Sequence, residues 1–161
     1  MRHAALCDLD QAEIYLQLNM PADAVRLAAN AASAFAELEQ NYEQAKAIAF
    51  QGVAETQRNH YQDALDCFQQ SAPMFEAEEN SFWVGMLEIY RAEVLLGLGR
   101  LWEAKFQGEN ARSRFSELGI AYQHGMALIL LGRVAMAMDQ IQEARSISDE
   151  LLNLIDAHNI P

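Results

Sequence analysis

No stretch of the chain alternates apolar and polar residues convincingly with a period of two, so strands are not expected. The residues resolve instead into helical stretches of about 17 residues separated by short breaks. Within residues 81–120 the pattern predicts one helix from Phe82 to Leu98, a turn at Gly99-Arg100 and a second helix from Leu101 to Leu118, closed by Gly119. Equivalent turns are expected at Asn19-Met20-Pro21, Asn59-His60 and Asp139-Gln140. Asn and Asp suit these places because they cap helices and tolerate turn geometry, and Pro21 fits the first turn of a helix.

The helices fall into a repeat. Ala24, Ala64, Ala104 and Ala144 stand 40 residues apart, each after an acidic residue (Asp23, Asp63, Glu103, Glu143). Ala12, Gly52, Ala92 and Gly132 keep the same spacing, as do Phe35, Phe75, Phe115 and Ile155. With 27 Ala and 8 Gly in 161 residues, one column of small residues could be chance, but three columns in one register are not. A fixed period of this size marks a solenoid, whose units bury their apolar faces by stacking on one another. The chain is therefore expected to be a single array of units 1–40, 41–80, 81–120 and 121–161. The two small columns leave room for close approach of antiparallel helices. The Phe column is expected to plug the groove against the next unit's inner helix.

A small residue, a turn, and then an acidic-Ala pair twelve residues after the small one is the pattern of the tetratricopeptide repeat (TPR). It is clearest in Gly97-Leu98-Gly99-Arg100-Leu101-Trp102-Glu103-Ala104 and in Asn59-His60-Tyr61-Gln62-Asp63-Ala64, and the resemblance covers essentially the whole chain. It implies an all-α, right-handed α-solenoid of four TPR-type helical hairpins, about eight helices. The common unit of that family is about 34 residues; the longer unit here resembles a branch found in bacterial regulators and signalling proteins. The aromatic residue expected three places after the small column is present only as Tyr15, with Glu55, Leu95 and Ala135 elsewhere, and no regular helix-ending proline occurs. A narrower resemblance lies in Cys7-Asp8-Leu9-Asp10-Gln11-Ala12-Glu13-Ile14-Tyr15-Leu16 followed by Tyr42-Glu43-Gln44-Ala45-Lys46. This is similar to the repeat arrays that precede caspase-like CHAT domains in large bacterial proteins, and it implies a regulatory segment of a longer chain.

Composition narrows the function. The net charge is −12, with 13 acids against 4 bases in residues 1–80 and 10 against 7 in residues 81–161. That sign repels nucleic-acid phosphates and anionic lipid, so neither is an expected partner. Lys105, Arg112 and Arg114 are the one dense basic group and are expected to decorate an outer helix face. No apolar run approaches the roughly 20 residues of a membrane span, and the N-terminus lacks the apolar core of a signal peptide; the expected location is the cytoplasm. Cys7 and Cys67, one and a half periods apart, fall on different kinds of helix and are expected to be buried free thiols.

The sequence offers no phosphate loop, no nucleophile elbow and no histidine set with metal-ligand spacing among His3, His60, His124 and His158. Glu76, Glu78 and Glu79 lack the spacing of a calcium loop and are expected to be a solvated face. Glu13 and Glu93 lie on different units, so paired acid–base chemistry is not expected either. The expectation is a non-catalytic chain without cofactor or metal.

The TPR resemblance implies that the inner helices line a concave groove. Its rows here read Leu6, Lys46, Met86, Met126; Leu9, Ala49, Ile89, Ile129; Glu13, Val53, Glu93, Arg133; and Leu16, Thr56, Leu96, Met136. The groove is largely apolar, with Tyr90 and Phe50 nearby and methionines gathered toward the C-terminal end. Such a surface adapts to an extended peptide or an amphipathic helix. The candidate binding strip is Met86, Ile89, Tyr90, Met126, Ile129 and Met136, bordered by Glu93 and Arg133. Two other readings stay open: the same rows as internal packing, or a small-molecule pocket as in the arrays of some transcriptional regulators. The Lys/Asn clamp that holds chaperone C-termini is missing, since its places carry Leu9, Glu13, Val53, Met86 and Tyr90.

The expected role is a scaffold for a protein or peptide partner. It would be free-standing, the sensor array of a larger protease-like or regulator protein, or a self-associating module. The last helix carries Ile147, Leu151, Leu152, Leu154 and Ile155, apolar over more than one stripe where a terminal repeat should be polar. Either the array continues beyond Pro161 or this end self-associates as a symmetric homodimer through the C-terminal helix, with Leu152 and Leu154 exposed in the monomer.

Overall fold

The structure, a computed structural model, describes residues 2–158; Pro161 lies outside them. The described residues form eight helices: α1 (Arg2–Gln17), α2 (Pro21–Glu37), α3 (Asn41–Gln57), α4 (Tyr61–Ala77), α5 (Ser81–Gly97), α6 (Leu101–Glu117), α7 (Ala121–Ala137) and α8 (Ile141–His158). The fold is all-α, four helical hairpins of the TPR type. The chain divides into two compact units, Met1–Asn80 and Ser81–Pro161, each holding two of the hairpins. In the first unit α2 packs against both α1 and α3, α3 against α4, and α1 lies beside α3. The second unit repeats this scheme with α5 to α8.

The regularity comes from the turns. From α2 onward a helix begins every 20 residues, and the last residue but one before each start has positive φ: Asn19, Glu39, Asn59, Glu79, Gly99, Gly119 and Asp139. In each turn two N–H groups fold back onto the helix just ended. The Met20 N–H donates to the Tyr15 carbonyl at 2.8 Å and the Asn19 N–H to that of Leu16 at 3.1 Å. Arg100 and Gly99 do the same to Leu95 and Leu96 at 2.9 and 3.0 Å. This is the Schellman arrangement, which satisfies the free carbonyls of a helix end and requires a left-handed residue. Gly99 and Gly119 enter it at φ 71° and 67° without the Cβ clash that Glu39 and Glu79 carry. Asn19, Asn59 and Asp139 thus sit in the turns as expected, but not as caps. The residues before the following helices are Met20, His60 and Gln140, and neither Met20 nor His60 makes a side-chain capping bond.

The small columns pack as expected except in the last hairpin, where Ala144 is only half-buried. Ala24, Ala64 and Ala104 are fully buried, as are Ala12 and Ala92. A Cβ on Gly52 would stand 2.5 Å from Phe68, so α3 and α4 approach as closely as they do because that side chain is missing. Gly132 does not share the reason, since its Cβ would meet nothing nearer than Ile147 at 3.9 Å. Phe35, Phe75 and Phe115 are fully buried. Phe75 and Phe115 also pack within their own hairpins. Phe115 lies 5.9 Å edge-on to Phe82 and against Gly85, and Phe75 lies 6.1 Å edge-on to Tyr42, each on the inner helix of its own hairpin.

The apolar stripe of α8 is also mostly internal. Ile147 joins Leu128, Leu131 and Ala135 in a cluster with Leu151 and Leu154 packed against it. Leu152 is exposed as expected, whereas Leu154 is half-buried. No helix among the described residues is long and apolar enough to cross a membrane.

Candidate functional site

In the second unit α5 and α7 lie side by side, and on their shared face the structure gathers five of the eight expected strip residues. Ile89, Glu93, Met126, Ile129 and Arg133 line a pocket of about 250 Å³, together with Leu130, which the sequence reading missed. Leu130 follows Ile129 on α7 and is 3% exposed. Arg133 Nη1 donates to Glu93 Oε1 at 3.2 Å, bridging α5 and α7 in solvent.

The strip is not uniform in depth. Ile129 and Met136 are 54% and 58% exposed, whereas Ile89 is 4% and Met86 8% exposed. Tyr90 and Met126 are half-buried. Ile89 and Met86 therefore belong to the core and not to an open surface. The row that contains Ile89 explains it: Leu9, Ala49 and Ile89 are all buried, and Ile129 alone emerges. Met136 stands apart from the pocket, in a larger depression of about 560 Å³ lined by Gly132, Arg133, Met136, Ile141, Ala144, Arg145 and Ser148.

On the corresponding face of the first unit, the rows are tied down by polar contacts. Lys46 Nζ donates to Glu13 Oε2 at 3.4 Å and lies 5.1 Å from the Phe50 ring centre. Gln57 Nε2 donates to the Leu16 carbonyl at 3.1 Å.

The basic group expected on an outer helix face lies on α6 and is used for structure. Lys105 Nζ donates to Glu143 Oε2 at 2.7 Å, tying α6 to α8. Arg112 bridges Glu150 on α8 and Glu109 on its own helix, with Nε to Glu150 Oε1 at 3.1 Å. Arg114 forms a two-point pair with the buried carboxylate of Glu88, Nε to Oε2 at 3.0 Å and Nη2 to Oε1 at 2.8 Å. The partners lie 26 to 38 residues away in sequence, which is why local charge spacing could not show them. No phosphate-binding patch is left at these three residues.

One set of metal-ligating groups converges among the described residues: Glu55, His60 and Asp63. Sequence spacing missed it because the turn between α3 and α4 brings the three together. Its carboxylate is already engaged. Arg58 Nη1 lies 3.0 and 3.2 Å from the two Glu55 oxygens, and His60 Nδ1 2.8 Å from one of them, a staple across the turn. Cys67 is half-buried, and burial, helped by Glu55, Asp63 and Asp66, pushes its thiol up to about 11. Cys7 is exposed, contrary to the expectation of burial, and both thiols are free.

No family model and no curated protein matches the sequence. The fold is nonetheless shared with solved structures. A Rap protein complexed with competence and sporulation factor superposes with a TM-score of 0.89 at 16% identity, over 94% of this chain and 42% of that one. Aspartyl phosphate phosphatase F from Bacillus subtilis gives 0.89 at 17% identity, over 96% and 41%. A putative kinesin light chain from Podosopora anserina with nearly identical TPR-like repeats gives 0.79 at 17% identity, over 98% and 78%. The chain spans less than half the length of the first two. At these identities the likeness shows the TPR-type fold.

Proposed function

We propose that the chain is a non-catalytic scaffold that takes an extended peptide or an amphipathic helix on the α5–α7 face of its second unit. One observation carries this: Ile129, at a repeat position that is core in the other three units, is 54% exposed beside a pocket floored by Ile89 and Leu130. Apolar burial against Ile129, Met126 and Met136 would supply affinity, and the Glu93–Arg133 pair at the rim would fix register. The Rap structure solved in complex with competence and sporulation factor supports a partner-binding use of this fold. Aspartyl phosphate phosphatase F is named for an enzymatic activity, yet here the titratable groups brought together are engaged in ion pairs. Panning a phage-displayed random peptide library against the purified chain tests the reading; enriched sequences should share spaced apolar anchors and compete for one site.

A second reading makes the array the sensor segment of a larger CHAT-type or transcriptional regulator protein. The length of the Rap neighbours, of which the chain spans 41% and 42%, supports it. The two readings share the same face and differ in whether the partner is another segment of the same protein. Two free thiols suit a cytoplasmic setting for either.

A further inference from the structure

Glu55 is out of place in its repeat. Tyr15, Leu95 and Ala135 hold the same position in the other hairpins, and Leu95 and Ala135 are core residues. Glu55 is just as deep, 7% exposed, and so carries a carboxylate into a place built for apolar packing. Two further changes accompany it in this hairpin. Arg58 stands where the others have Leu18, Leu98 and Met138, and His60 where they have Met20, Arg100 and Gln140. A buried ion pair seldom adds stability over apolar residues of similar volume, so the three together call for another reason.

The turn between α3 and α4 supplies the geometry. Asn59, at φ 61°, reverses the chain, and the His60 N–H donates to the Glu55 carbonyl at 2.9 Å. This fold-back sets the imidazole over the carboxylate, with Nδ1 2.8 Å from Oε2. Asp63, in the first turn of α4, brings Oδ2 to 3.9 Å from the same nitrogen, too far for a hydrogen bond. One nitrogen and two carboxylate oxygens thus lie within 4.8 Å of one another. Ligands held about 2.0–2.2 Å from one ion stand roughly 3–4 Å apart. Glu55 and His60 need only part slightly, and Asp63 close slightly, to reach that spacing. Asp63 has the freedom to do so, since its side chain is 68% exposed. Arg58 Nη1 lies within reach of both Glu55 oxygens and can stay on Oε1 while Oε2 turns to the ion, orienting the carboxylate from behind.

We propose that Glu55, His60 and Asp63 bind a divalent transition-metal ion, Zn²⁺ foremost, which clips the end of α3 to the start of α4. The imidazole selects against Ca²⁺ and Mg²⁺, which take oxygen ligands. Three protein ligands leave a coordination position for water. Asp63 belongs to the acidic column of all four hairpins, but Met20, Arg100 and Gln140 stand three places before its counterparts Asp23, Glu103 and Glu143. The site is therefore confined to the second hairpin.

Zinc chloride titrated into the full chain, freed of metal with EDTA and of any purification tag, tests this. Calorimetry should show one ion per chain with a Kd of about 10 μM or below. The melting temperature should rise by several degrees once free Zn²⁺ exceeds Kd about a hundredfold. His60→Gln and Asp63→Asn, both at exposed positions, should each weaken binding more than about tenfold. Circular dichroism should show both variants folded as the unaltered chain is. His3→Gln, at a histidine outside the cluster, should leave binding unchanged. Co²⁺ in place of Zn²⁺ should give visible absorption that His60→Gln removes. Three results would overturn the proposal: no binding up to about 1 mM Zn²⁺, full affinity in His60→Gln, or Ca²⁺ binding as tightly as Zn²⁺.

Discussion

Glu88 and Arg114, on α5 and α6 of one hairpin, are locked by two parallel hydrogen bonds of 3.0 and 2.8 Å, with the Glu88 side chain only 11% exposed. Fork-to-fork pairing of this kind fixes the rotation of one helix against the other as well as their separation. Removing the guanidinium strands a nearly buried carboxylate. Arg114→Met should therefore lower stability by about 3 kcal/mol. Arg114→Met combined with Glu88→Met should recover most of the loss, since no charge is then left unpaired. Urea unfolding of the two single variants and the double variant completes the cycle.

Gly52 and Gly132 occupy the same repeat position and should respond oppositely to Ala. The added methyl at position 52 meets the Phe68 ring at 2.5 Å, and overpacking of this kind costs about 1–3 kcal/mol. At position 132 the nearest atom is 3.9 Å away, and a glycine inside a helix gives up about 0.5–1 kcal/mol relative to Ala. Gly52→Ala should lower the melting temperature, and Gly132→Ala should hold or raise it.

The fold was legible because the signal is repeated. Seven turns fall on one 20-residue step, and Asn, Asp or Gly stands at the left-handed place in five of them. The candidate face was only half legible. Ile89 and Ile129 are the same residue at the same repeat position, one core and the other exposed. What differs is the surroundings each unit provides, and residue type carries no record of that. The partners of the basic residues were hidden for a similar reason: Lys105 and Arg112 find their acids on a helix almost one full period away.

The two thiols should differ sharply toward alkylating reagents. Exposed Cys7 should be modified at once in the native protein, and Cys67 only after unfolding. The folded state holds the Cys67 thiol at about 11, above its ordinary value of 9.0, so it favours the neutral form. The resulting contribution to stability is complete below pH 9 and is lost as pH rises through about 11. Mass spectrometry after a timed iodoacetamide pulse, with and without urea, reads the difference directly.

The central claim is that the α5–α7 face is a surface for a partner and not merely packing, and the pair Ile89 and Ile129 tests it. A peptide recovered by panning on the unaltered chain would be titrated against Ile129→Asp and the melting temperature recorded on the same sample. Ile89→Asp serves as the buried control. Ile129→Asp should keep the melting temperature within a few degrees and lose about 2 kcal/mol of binding, because it places a charge in a contact that loses its water only in the complex. Ile89→Asp should lower the melting temperature strongly, because that side chain is already 4% exposed in the free protein. Unchanged affinity for Ile129→Asp, or a fall in its melting temperature to match Ile89→Asp, would contradict the account.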